Sequence, residues 1–136
     1  MSAVVVDASA LVAILRRESN YLWLLDQLKR ASPRLMAAPN ALELGIVLEA
    51  RSGPPGTGIS QRALRDAQIQ VEPFDADLAE RALIAWRRFG KGRHPAALTF
   101  GDCCTYALAE LTGHPILHLG DDFTRTDLQT LQPPPP

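Results

Sequence analysis

Apolar positions along this chain follow two rhythms. Short, fully apolar β-branched runs alternate with longer stretches in which apolar residues recur every three or four positions. Val4–Val6 is the first of the short runs, the mark of a strand buried on both faces. After Asp7, Ser9 is placed to cap a helix carrying Leu11, Val12, Ile14 and Leu15 and ending in Arg16 and Arg17. Tyr21, Leu22, Leu24, Leu25 and Leu28 predict a second amphipathic helix. A short strand is expected around Leu35 and Met36, and Pro39 suits the first turn of a helix running to about Arg51.

The second half repeats the alternation. GPPGTG (53–58) predicts a surface loop, followed by a helix over about 60–66 and a strand over 69–71. Asp75 has the position of an N-cap for a helix with Leu78, Ala82, Leu83, Ala85, Trp86 and Phe89, which GKGRHP breaks. A helix over about 100–111 ends at Gly113, residues 116–119 form the last clear strand, and the Pro133–136 tail is expected to fray. This order predicts an α/β layered domain over 1–130 with a short, mostly parallel sheet flanked by helices, then a disordered Pro-rich tail over 131–136. In such sheets ligands collect beyond the carboxyl ends of the strands.

Composition narrows the class. A chain of 136 residues, 46% hydrophobic and 21% charged, is one globular domain that needs no disulfide or structural metal. The net charge of -1 argues against a generically basic nucleic-acid binder, although acidic metal ligands enter that sum as negative charge. No apolar stretch is long enough for a membrane span, and no export signal opens the chain, so a cytoplasmic protein is expected. Cys103 and Cys104 are adjacent, unsuited to pairing with each other, and read as small buried hydrophobes.

Candidate chemistry lies in carboxylates at the junctions between apolar runs and helices or loops: Asp7, Glu43, Asp102, and the Asp121–Asp122 pair. Asp7 and Asp121 follow apolar strands and so fall on the ligand-binding edge. Each has an ordinary alternative. Asp7 could be a turn or cap residue, Asp102 could complete a capping box with Thr99, and Asp121–Asp122 could be a turn. Glu43 shares its helix face with Ile46 and Val47, where a semi-buried carboxylate needs a cation or an arginine as partner. Acids so far apart in the chain can gather only through the fold, and a gathered cluster suits a divalent cation. Lys91 and Arg93, between flexible glycines near Asp102, are candidates for RNA-phosphate contact, whereas Arg87 and Arg88 read as a helix end. His94, His114 and His118 lack a catalytic partner pattern.

DASALVAIL, ALELGIVLEAR, RRFGKGRHPAALTFGDCCTYALA and PILHLGDDFTRTDL, in that order over about residues 4–128, resemble the PIN-domain ribonucleases, and specifically the VapC-type toxins of bacterial toxin–antitoxin pairs. The resemblance implies a small α/β fold, Mg²⁺-dependent endoribonuclease activity with Mn²⁺ as a substitute, homodimerisation, and inhibition by a small cognate antitoxin. It places Asp7 and Asp102 as principal metal-binding acids and Glu43 as the helix acid. The GDDF segment supplies a fourth acid, Asp121 or Asp122, and Ser9 the motif's hydroxyl. The RNA substrate would be a tRNA, rRNA or other structured RNA.

Three other classes fit less well. A phosphoacceptor receiver domain needs an aspartate at a mid-chain strand end, and none lies between Glu49 and Asp66. A haloacid-dehalogenase-type phosphatase needs an aspartate two residues after the first, where Ser9 stands. A non-catalytic PIN-like RNA- or protein-binding module would normally have lost acids that this chain keeps.

Overall fold

The computed structural model describes residues 2–134. Its centre is a five-stranded sheet in the order β3-β2-β1-β4-β5, with every neighbouring pair parallel. The strands are β1 (Val4–Val6), β2 (Arg34–Ala37), β3 (Ile69–Glu72), β4 (Ile116–Leu117) and β5 (Thr130–Leu131). The sheet expected to be mostly parallel is therefore wholly so. β1 lies at its middle, pairing Val5 with Leu35 on one side and Ile116 on the other.

Alternation along the strands divides the core into two layers. Val5, Leu35, Ala37 and Ile116 face α5 (Ala76–Phe89) and α6 (Phe100–Thr112). Val4, Val6, Met36 and Leu117 face the other way, onto α1 (Ala8–Leu15), α2 (Tyr21–Arg30) and α3 (Ala38–Ser52). α4 (Ile59–Asp66) packs beside α3, after a 3-10 turn at Pro54–Gly56 inside the loop expected over 53–58. Pro39 sits in the first turn of α3, and Asp75 caps α5 by accepting the Leu78 N–H at 3.0 Å. Gly113 ends α6 in a left-handed conformation. Cys103 and Cys104 are buried and unpaired, their thiol pKa values pushed up to about 11 chiefly by burial.

Three local expectations change. Ser9 does not cap α1; Asp7 does, accepting the Ser9 N–H at 3.1 Å. A strand expected over 116–119 is regular only at Ile116–Leu117, because the chain bends at Leu119 and Gly120. β5, with no apolar run to announce it, takes up Leu131, so ordered pairing reaches one residue into the segment assigned to the tail. Pro135 and Pro136 of that tail lie outside the described residues.

Candidate active site

The order of the sheet decides where a pocket can open. β2 continues from β1 on one side while β4 adds on the other, so the chain diverges at the carboxyl ends of β1 and β4. Asp7 is the first residue beyond β1. It is 5% exposed, and its two carboxylate oxygens are held separately: Oδ1 accepts the Thr105 hydroxyl of α6 at 2.5 Å, and Oδ2 accepts the Ser9 N–H. Thr105 is fully buried. Ser9 itself turns its hydroxyl to the β4 side and accepts the Leu119 N–H at 3.1 Å.

Asp102 reaches the same place from α6. Its carboxylate accepts the Thr99 N–H at 3.0 Å while its own N–H donates to the Thr99 hydroxyl at 3.4 Å. The capping-box reading and the site reading thus both hold. The cap fixes the first turn of α6, and that turn aims Asp102 into the pocket. Glu43 approaches from α3, with its carboxyl folded over Gly101. Asp7, Ser9, Glu18, Glu43 and Asp102 line one open cavity of about 250 Å³.

The electrostatics follow from this crowding. Partial burial is the main cause that pushes the Asp102 pKa up to about 7, and the charges of Asp7 and Asp122 push in the same direction. The Glu43 carboxyl is also raised, by burial first and then by Asp7, while the Asn40 amide favours its charged form. Glu43 stands on the exposed side of α3, beside Ile46, which is 60% exposed. The apolar face expected to half-bury it is therefore open, and only its carboxyl end is sheltered. Among the described residues no arginine pairs with it.

The Asp121–Asp122 pair divides. Both are exposed in the loop after β4 and neither lines the cavity. Asp121 lies 3.6 Å from the Arg125 guanidinium, whereas the charge of Asp122 is felt at Asp102. Lys91 and Arg93 also stand apart from the acids. Lys91 lines a separate, apolar cavity of about 660 Å³ between α5 and α6, with Leu83, Trp86, Leu98 and Phe100. The Arg93 guanidinium stacks 4.7 Å from the Trp86 ring centre and donates to the Arg87 carbonyl.

Whether a divalent ion suits these residues can be tested on the donor set. Among the described residues no three His, Cys, Asp or Glu side chains close into a ready-made coordination cluster. Asp7, Glu43 and Asp102 line one open cavity of about 250 Å³. Hard carboxylate oxygens, like charges pressed together, and space for retained water are what Mg²⁺ requires, since it is bound through one or two carboxylates and keeps several waters. The residues fit such an ion.

Three contributors escaped the sequence reading. Thr105 lies mid-helix in an apolar run, Glu18 follows α1 in a turn, and Asn40 is 1% exposed with its amide donating to the Gly101 carbonyl at 2.9 Å. The burial of Asn40 follows from helical spacing, because it precedes the buried Leu44 by four residues and Leu48 by eight. His118 is buried at the end of β4 against Phe123 with both ring nitrogens unpartnered, and burial lowers its pKa.

Comparison with known proteins agrees with the geometry. Residues 4–128 match the family model of the PIN domain. Ribonuclease VapC42 of Mycobacterium tuberculosis is 45% identical over 126 residues, covering 92% of this chain and 96% of that one. A ribonuclease VapC of Mycolicibacterium smegmatis is 43% identical over 124 residues, covering 91% and 96%. Among solved structures, Mycobacterium tuberculosis VapC20, described as a sarcin-ricin loop cleaving toxin, superposes with a TM-score of 0.74 at 18% identity, over 96% of this chain and all of that one. A toxin–antitoxin complex from Klebsiella pneumoniae gives a TM-score of 0.66 at 13% identity, covering 92% and 93%. At these identities the two structures speak for the fold alone.

Proposed function

Because the chain belongs to the PIN-domain family, we propose that it is the toxin of a type II toxin–antitoxin pair, a Mg²⁺-dependent endoribonuclease hydrolysing RNA phosphodiester bonds. The observation that carries this reading is the meeting of Asp7 and Asp102 in one cavity, from opposite ends of the chain, with Glu43 beside them. When bound, a divalent ion would supply an activated water and offset charge on the attacking and leaving oxygens, with Mn²⁺ able to replace Mg²⁺.

The chain's own residues divide the remaining work. Asp7 and Asp102 would hold the ion. Glu43, Asp122 and Ser9 would stand beside its waters, and Glu43, whose pKa burial raises, would serve there as proton acceptor. Thr105 keeps Asp7 in one rotamer, and the cap at Thr99 does the same for Asp102. Lys91 meets RNA phosphate beyond Phe100, and Arg93 presents the edge of its stacked guanidinium there. The substrate is a tRNA, rRNA or other structured RNA in the cytoplasm; among the described residues no helix is long and apolar enough to cross a membrane.

Two partners complete the proposal. One is a second copy of this chain. We place that interface on α1 and α2, where Leu15 and Leu22 stay well exposed while Trp23 packs partly into the core. The other is a small antitoxin whose basic tail residue, best an arginine, reaches Asp7, Glu43 and Asp102.

Incubation of the purified protein with total RNA, with Mg²⁺ and with EDTA, tests the reaction. Cleavage that requires Mg²⁺ and is absent from Asp7→Asn supports it. Binding of RNA without cleavage at any metal concentration would favour a non-catalytic PIN-like module instead.

A further inference from the structure

We propose that Gly101 and Asn40 are positioning residues that set where the Glu43 carboxylate stands beside Asp7 and Asp102. The inference rests on the metal-site reading above and concerns Glu43, the acid that reaches the cavity from α3. Asp7 is buried and doubly hydrogen-bonded, and Asp102 is tied into a helix cap. Glu43 projects from the exposed side of α3 on a long, flexible side chain, with no salt-bridge partner among the described residues.

Gly101 is unexpected where it stands. It lies inside the first turn of α6 without a positive φ, so no turn or left-handed conformation calls for glycine, and alanine would favour the helix by about 1 kcal/mol. What calls for glycine is space. A Cβ at residue 101 would lie 2.6 Å from Glu43 Oε2, 2.7 Å from Oε1 and 3.0 Å from Cδ. The carboxylate therefore rests on the glycine backbone, where any side chain would displace it. To regain ordinary contact it would have to withdraw by roughly 1 Å.

Asn40 closes the other side. It is buried one helical turn before Glu43, and its amide joins the first turn of α3 to the Gly101 carbonyl of α6. Its Oδ1 is buried without a partner, a costly arrangement if Asn40 served stability alone. It makes sense if the amide must face both Gly101 and Glu43. Glycine and asparagine together thus fix the distance between the two helices and the resting place of the carboxylate between them.

The test is a double-mutant cycle of Gly101→Ala and Glu43→Ala, with Asn40→Leu examined in the same two backgrounds. Melting temperature is followed without metal and along a Mn²⁺ titration, and RNA cleavage is measured alongside. The atoms that the added methyl group would strike are the mobile end of a side chain, so the metal-free Gly101→Ala protein should melt at or above the wild type. Its Mn²⁺ midpoint should nevertheless rise by about 10–100-fold, as for losses in the outer shell of a metal site. Cleavage should fall on the order of 100-fold for a 1 Å misplacement. In the Glu43→Ala background neither Gly101→Ala nor Asn40→Leu should change the Mn²⁺ midpoint or cleavage further.

Wild-type Mn²⁺ response and cleavage in Gly101→Ala overturn the proposal. So does a deficit that persists undiminished without Glu43, or a metal-free melting temperature several degrees lower, which would place the effect in the helix packing. A wild-type protein with neither a Mn²⁺ response nor cleavage overturns the metal-site reading itself, a separate failure.

Discussion

Asp102→Asn should raise the stability of the metal-free protein while removing its activity, and the size of the gain follows from the crowding of charge. In the folded chain the Asp102 pKa stands at about 7 against 3.8 for the free side chain. A difference of roughly three pH units corresponds to a ceiling of about 4 kcal/mol. Asp102 is partly open to solvent, and screening reduces this to about 1–2 kcal/mol. Asparagine can still accept the Thr99 N–H, but the charge at the α6 N-terminus is lost, which costs about 0.3–1 kcal/mol.

The sign is set by the raised folded pKa. Stability from keeping Asp102 neutral is fully present below about pH 4 and is lost as pH rises through about 7. At pH 8 the metal-free variant should therefore melt a few degrees above the wild type. At pH 4, where Asp102 is protonated in the folded chain and about half protonated in the unfolded one, the gain should nearly vanish. Adding Mn²⁺ at about 100 times its dissociation constant should stabilise the wild type by about 2.7 kcal/mol and leave the variant unmoved, inverting their order. Differential scanning fluorimetry at both pH values, with and without metal, checks each step. A metal-free variant that melts below the wild type at pH 8, or one that keeps its Mn²⁺ response, would refute the reasoning.

Other expectations follow from the same geometry. Asp122→Asn should lower cleavage by at least about tenfold, whereas Asp121→Asn should change it far less, because Asp121 faces Arg125 and only Asp122 bears on Asp102; parallel initial-rate measurements separate them. Leu22→Glu should convert a dimer to a monomer in light scattering while leaving the fold intact by circular dichroism, since Leu22 is 66% exposed on α2; a persistent dimer places the interface elsewhere. Inhibition by the antitoxin should weaken as Mg²⁺ is raised, because its basic residue and the ion compete for the same carboxylates; inhibition independent of Mg²⁺ removes that mechanism. Thr105→Val should slow cleavage and destabilise the fold by about 1–3 kcal/mol, since it leaves a buried Asp7 oxygen without its donor; an unchanged rate and melting temperature would count against the role given to Thr105.

Much of the frame was legible in the chain because it is written in local terms. Val4–Val6 is a strand and Asp75 and Thr99 are caps for reasons contained within a few residues, and a run of such units can fold only as a parallel α/β sheet. Asp7 at a strand end and Asp102 in a first helical turn could likewise be singled out one at a time. Proximity in space belonged to the tertiary structure. Only packing of α6 across β1 brings Thr105 to Asp7, and only the contact between α3 and α6 sets Glu43 on Gly101. Local pattern also misjudged what depended on distant neighbours. Ser9 accepts the Leu119 N–H on its hydroxyl and leaves the cap to Asp7. Glu43 proved exposed except at its carboxyl end, and β5 formed from two residues because β4 offered an open edge. Asp121 and Asp122 are indistinguishable by composition, yet the turn after β4 directs one toward Arg125 and the charge of the other toward Asp102. Periodicity and capping are short-range and survive in one dimension, whereas the direction of a side chain across an interface is decided by residues that meet only after folding.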